Sequence, residues 1–122
     1  MMLHKRIADI EAAATFLTLM GNEKRLAIMA HLMDTELSVG AIADKVELSQ
    51  SVLSQHLAKL RTAGLVQTRR DRQMIYYSCD AEAVRRLLSM LSEFFGTSRL
   101  HQAQMDGKLD RRSGEILVGA KD

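Results

Sequence analysis

The chain has 122 residues, one cysteine, no proline, and 17 Lys/Arg against 15 Asp/Glu. That length suits one domain able to bury a core unaided, and the single cysteine excludes an intramolecular disulfide or an all-cysteine metal site. Charges break the opening "MMLHKRIADIEAAATF" before any apolar run of signal-peptide length develops, and nowhere do about 18 apolar residues follow one another, so a cytoplasmic protein in a reducing compartment is expected.

The net charge of +2 is spread unevenly. Residues 1–48 hold five Lys/Arg and seven Asp/Glu, a net of −2; residues 49–73 hold Lys59, Arg61, Arg69, Arg70 and Arg72 against Asp71, a net of +4; residues 74–122 balance at seven each. A basic segment suits an anionic partner, nucleic acid first, because Lys and Arg release counterions condensed on phosphates. A solvated surface run carries the same charges, so charge by itself leaves both readings open.

Without proline, breaks are read from glycines, caps and changes of period. Ile7, Ile10, Ala14 and Leu17 form one helical stripe over residues 5–20, ending near Met20-Gly21. Asn22 then caps "EKRLAIMAHLMD", with Glu23 in the first turn where the helix dipole favours an acid. Leu26, Ile28, Met29, Leu32 and Met33 give that helix a wide apolar face, central to the expected core. Ser38 caps the short "VGAIADKV", and after a break at "EL" Ser49 caps a fourth helix, so two helices joined by about three residues form a helix-turn-helix. Beyond Gly64, "LVQTRR" and "MIYYSC" read as two strands around the polar turn "DRQ", which lacks the Asn-Gly or Asp-Gly of a strong hairpin signal. A last helix starts at Asp80 or Ala81, carries an apolar stripe of Val84, Leu87, Leu88, Leu91, Phe94 and Phe95, and frays after Gly96. The expected fold is mainly α with a small β-hairpin: a winged helix-turn-helix of five helices, with a two-stranded wing before the last. Residues 1–105 form the expected domain and 106–122 a flexible tail.

At about 100° per residue, Leu53, Leu57 and Leu60 of the fourth helix fall within one narrow arc and face the core. Ser51, Gln55, Ala58, Lys59 and Thr62 fall opposite, with Gln50 and Ser54 at the leading edge. Amide and hydroxyl groups there can pair with base edges in a major groove while Lys59 and Arg61 reach phosphates, and His56 flanks this face as a contact to the backbone. An ordinary polar face is the competing reading for this helix alone; the preceding capped helix, the short turn and the basic hairpin favour a reading surface. In the wing, Arg69, Arg70 and Arg72 suit backbone phosphates or a minor groove, though alternation along a strand lets at most two of them meet the DNA. Tyr76 and Tyr77 must face opposite ways, one expected in the core and the other half exposed.

Residues 22–78, and within them "ELSVG", "LSQSVLSQHLAKLR", "GLV" and "YYS" in that order, closely resemble the ArsR/SmtB family of dimeric bacterial repressors, and look most like its HlyU/NolR-like subgroup. The resemblance is dense over nearly half of the chain and loose over the flanking helices. It implies a homodimer built by the first and last helices, with one recognition helix (residues 49–63) and one wing (residues 67–75) per subunit on an imperfect palindrome of double-stranded promoter DNA. Half-sites would lie about 10 base pairs apart, centre to centre. Glu47 departs from the family pattern by standing where many members end the third helix with glycine. Either that helix ends without a left-handed residue, or Glu47 adopts one at some cost.

Family members that sense arsenic or cadmium carry paired cysteines in the segment matching "ELSVGAI", where this chain has Ser38 and Gly40. Zinc and nickel sensors use histidines and carboxylates on the last helix, and "DAEAVRRLLSMLSEFF" contains no histidine. Asp80, Glu82 and Glu93 alone make a poor transition-metal site, and His4, His31, His56 and His101 are scattered, so no metal and no cofactor is expected. Redox-sensing relatives use two cysteines, on the second and last helices; only Cys79 is present here, and a buried structural thiol is its expected role.

An enzyme is not expected, since no Cys/His or Ser/His pair fits a cleft and there is no phosphate loop. The competing function to a DNA-binding repressor is a protein-interaction module or anti-repressor that keeps the fold and acts on another regulator.

Overall fold

A computed structural model of the chain describes residues 8–96. The start of the first predicted helix, residues 5–7, and the predicted tail, 106–122 with its boundary at 105, lie outside the described residues. Within them the chain forms α1 (Ile10–Met20), α2 (Glu23–Asp34), β1 (Leu37–Ser38), α3 (Val39–Val46), α4 (Gln50–Thr62), β2 (Gln67–Asp71), β3 (Met74–Ser78) and α5 (Glu82–Phe95). This is the winged helix-turn-helix expected from the sequence, with one addition. Leu37 and Ser38 pair antiparallel with Tyr77 and Tyr76, so the wing hairpin belongs to a three-stranded sheet of order β1-β3-β2. Two residues show too little periodicity to be read as a strand, and only β3 makes them one.

Short polar side chains at the helix starts accept the backbone N–H groups that have no partner within the helix. Asp9 accepts from Ala12 N at 2.9 Å, Asn22 from Arg25 N at 3.0 Å, Ser38 from Ala41 N at 3.3 Å and Ser49 from Val52 N at 3.2 Å. The last three are the caps predicted above. The helix ends differ from one another. α4 closes with Gly64 at φ 76°, its N–H donating to Arg61 O at 2.9 Å and the N–H of Leu65 to Leu60 O at 3.0 Å, which is a Schellman closure. α3 closes on Glu47 at φ 58° and ψ 52°, the left-handed alternative left open above, with Leu48 N donating to Ala43 O at 3.1 Å. Lys24 of α2 also donates Nζ to Val46 O at 2.7 Å, placing a cation at the negative end of α3.

The core is made by Ile28, Met29 and Leu32 of α2, Ile42, Ala43 and Val46 of α3, and Leu53, Leu57 and Leu60 of α4, with Met20, Val66, Cys79 and Val84. Leu26 and Met33, predicted on the apolar face of α2, are only half-buried. The stripe read on α1 stays in solvent: Ile10 is 55% and Leu17 59% exposed, and only Met20 of that helix is buried. Among the described residues, no helix is long and apolar enough to cross a membrane.

The chain divides into two compact units between Arg85 and Arg86, inside α5. In the first unit, Ala81 O accepts the first helical bond of α5 from Arg85 N at 3.0 Å, as a start at Ala81 predicts, and Val84 is buried. The described part of the second unit is the rest of α5, on which Met90, Phe94 and Phe95 are exposed.

Candidate nucleic-acid interface

Three residues, Glu47 to Ser49, join α3 to α4. Both sides of this turn are capped, and α4 is pressed into the core by Leu53, Leu57 and Leu60 at 0%, 1% and 0% exposure. Burying three leucines outweighs the weak conformational preferences of the polar residues between them, so the opposite face has its direction set by packing. On that face Gln50, Ser51, Ser54, Gln55, Lys59 and Arg61 are all exposed.

These side chains differ in their freedom. Gln50 lies back over α3, where a Cβ added to Gly40 would meet its Nε2 at 3.7 Å, and Ser51 Oγ sits 3.4 Å from the capping Ser49 Oγ. Ser54, Gln55, Lys59 and Arg61 have no side-chain hydrogen bond or ion pair among the described residues. Their donors and acceptors are open to a ligand.

His56 lies at the side of α4 and is half-buried. Its Nδ1 stands 3.2 Å from Arg25 Nη1, while the same guanidinium donates Nε to Leu19 O at 2.6 Å and Nη2 to Thr18 O at 3.4 Å. Arg25 therefore ties the end of α1 to α4 from a position only 9% exposed. Burial pushes the pKa of His56 down, and the charges of Arg25 and Lys59 push it the same way. A neutral ring with its proton on Nε2 leaves Nδ1 free to accept from Arg25. Its Nδ1 edge is thus engaged inside the protein. Sequence reasoning missed Arg25, although a signal was present: Arg25, Ile28, Met29 and Leu32 follow the i, i+3, i+4, i+7 spacing of one buried stripe.

The wing is a hairpin pairing Gln67–Asp71 with Met74–Ser78, Asp71 opposite Met74. Its turn is two residues, Arg72 and Gln73, shorter than the expected "DRQ", and only Arg72 has positive φ, at 60°. That is the pattern of a type II′ turn, which matches strand twist but favours glycine at its first position. Arg69 donates Nε and Nη2 to the two oxygens of Glu36 at 2.9 and 2.8 Å and lies 5.0 Å over the Tyr76 ring. The Arg69 hydrogen bond holds the Glu36 carboxyl below its ordinary range, and Glu36 in turn raises Arg69. Arg70 donates Nε to the carbonyl of Arg72 at 3.1 Å. Both tyrosines are half-buried, so the expectation that one enters the core is corrected. With only a thin sheet behind them, Tyr76 is covered by Arg69 and Tyr77 opens onto α4.

Cys79 is buried, which pushes its thiol pKa up. Its backbone N–H approaches Leu32 O at 3.4 Å, holding the end of the hairpin to α2.

Known proteins share both the sequence and the shape. The family model described as "Bacterial regulatory protein, arsR family" matches residues 22–68, from the cap of α2 into β2. Nodulation protein NolR of Rhizobium meliloti is 56% identical over 88 residues, covering 72% of this chain and 72% of that protein. Transcriptional activator HlyU of Vibrio cholerae is 45% identical over 83 residues, 68% of this chain and 77% of the relative. The crystal structure of NolR from Sinorhizobium fredii superposes with a TM-score of 0.71 at 52% identity, covering 75% of this chain and 92% of that one. The helix-turn-helix, the wing and these likenesses agree: the chain belongs to the arsR family of bacterial DNA-binding transcriptional regulators.

Proposed function

We propose that the protein is a homodimeric repressor that reads an imperfect palindromic operator. The recognition helix, residues 49–63, enters the major groove and the wing, residues 67–75, lies on the backbone or in the minor groove. Gln50, Ser51, Ser54 and Gln55 meet base edges, while Lys59, Arg61, Arg70 and Arg72 meet phosphates. Arg69 and His56 act one step behind the DNA, Arg69 by bracing the wing on Glu36 and Tyr76, His56 by joining the helix to Arg25. The observation that carries this reading is the contrast between the two faces of α4: three leucines completely buried, four polar side chains without partners.

Dimerisation is supported by apolar residues exposed to solvent, Ile10 and Leu17 on α1 and Met90 and Phe95 on α5. Two copies related by a twofold axis would set half-sites about one helical turn apart. Repression follows from occupancy of a promoter.

Selection of genomic fragments by the purified protein tests the proposal and supplies the operator. Enrichment of a palindromic promoter sequence is expected, with affinity falling steeply with salt, and Gln55→Ala should relax base preference at one position per half-site. No preference for any fragment at low salt would overturn DNA reading and leave the interaction-module reading in its place.

A further inference from the structure

A cleft of about 430 Å³ opens between α4 and β3, lined by Ser54, Ala58, Arg61, Thr62 and Tyr77. The first four residues are one stripe of α4 at i, i+4, i+7 and i+8. The fifth comes from the base of the wing, where Tyr77 pairs with Thr68 and Leu37. The chain leaves α4 through the Schellman closure and enters β2 after Val66, so the end of the helix and the base of the hairpin are held side by side, with the cleft between them.

The chemistry of this cleft is that of a seat for one anion. Ser54, Thr62 and Tyr77, each carrying a hydroxyl, and Arg61, carrying a guanidinium, line it, and none of these side chains has a hydrogen-bond or ion-pair partner among the described residues. One uncompensated cation matches the single charge of a phosphodiester, and hydroxyl and guanidinium donors are the groups that hold phosphate oxygens. Ala58 supplies only a methyl group, which leaves room for a sugar-phosphate chain to approach.

We propose that this cleft seats one backbone phosphate of the bound DNA in each half-site, with Tyr77 and Thr62 as contact residues beside Arg61. The inference rests on the DNA-reading function proposed above. A helix in a major groove and a hairpin at the neighbouring minor groove straddle the strand that separates the two grooves, so that strand must run through the angle between α4 and β3. Free phosphate shares the chemistry without this geometry, and a scan along the DNA separates the two sources.

The test uses the full-length protein and a duplex that it has selected from genomic DNA, prepared as a series in which each member carries one neutral methylphosphonate linkage. Wild-type protein should lose affinity roughly five- to tenfold at one linkage per half-site through this cleft, in addition to linkages reached by the wing. Tyr77→Phe, which keeps the ring and so the packing, should bind the unmodified duplex several-fold more weakly. It should lose most of its sensitivity at that linkage alone, while its base preference stays as in wild type. Thr62→Val should do the same to a smaller degree, and thermal melts of both variants would separate a folding loss from a contact loss. Should Tyr77→Phe keep the full wild-type penalty at every linkage, the cleft is not a phosphate seat, although DNA reading stands. Competition by millimolar inorganic phosphate that depends on Tyr77, without a linkage-specific effect, would likewise overturn the proposal in favour of a free anion. A wild-type protein that selects no DNA would overturn this seat together with the reading on which it rests.

Discussion

α4 and the wing both appear in the sequence as polar, basic segments, yet the structure engages their charge to different degrees. α4 is held from behind by three leucines with at most 1% exposure, and Ser54, Gln55, Lys59 and Arg61 on its polar face have no hydrogen-bond or ion-pair partner among the described residues and remain open. The wing has no comparable core behind it: Met74 and Ile75 are 48% and 41% exposed, and Arg69 is spent on Glu36 and Tyr76, with Arg70 bonded to the Arg72 carbonyl. The cations of the anchored helix are all available to a ligand, whereas on the thin hairpin Arg69 is paired with a carboxylate and stiffens the wing, leaving Arg70 and Arg72 without a carboxylate partner among the described residues.

The sharpest way to break this contrast is to remove the anchor. Leu57→Ala should cost about 2–5 kcal/mol in urea unfolding through lost burial and a residual cavity, whereas Ile75→Ala on the wing should cost less than about 1 kcal/mol. Equal costs would mean that the wing is as firmly packed as the helix. At the level of DNA, Arg70→Ala should weaken binding to all sequences alike and lower the slope of log affinity against log salt by roughly one. Arg69→Ala should leave that slope unchanged, since its charge is already met by Glu36. A smaller effect is expected at the left-handed end of α3, where Glu47→Gly should raise stability by about 0.5–1 kcal/mol by relieving a φ of 58°.

The smallest effect concerns pH. The folded pKa of His56 lies below its ordinary value of 6.5, so the unfolded chain binds more protons at this site. The stability contributed by the neutral ring is complete above about 6.5 and is lost as pH falls through the folded pKa. His56→Gln should flatten the acid limb of a stability-against-pH curve just below 6.5, and an unchanged limb would show that Arg25 does not depend on the neutral ring.

Much of this site is legible along the chain because it depends on local rules. Asn22, Ser38 and Ser49 cap helices through their own side chains, and the leucine spacing of α4 dictates which face is outward. The wing was legible as a hairpin but not as part of a sheet, because the partner strand Leu37–Ser38 is two residues long and has meaning only beside β3. The cost at Glu47 was visible only as a missing glycine.

By itself, then, the sequence determined the element order, the buried face of α4 and the concentration of positive charge between residues 49 and 73, since each follows from spacing within a few residues. Only the tertiary structure decided which charges remain free. Arg25 is drawn into the core by carbonyls of α1 and by His56, Arg69 is matched with a carboxylate 33 positions away, and Arg61 is left without a partner among the described residues on the border of a cleft that Tyr77 also lines. The availability of a charged side chain depends on what the fold brings within about 3 Å of it, and that distance is unrelated to separation along the chain.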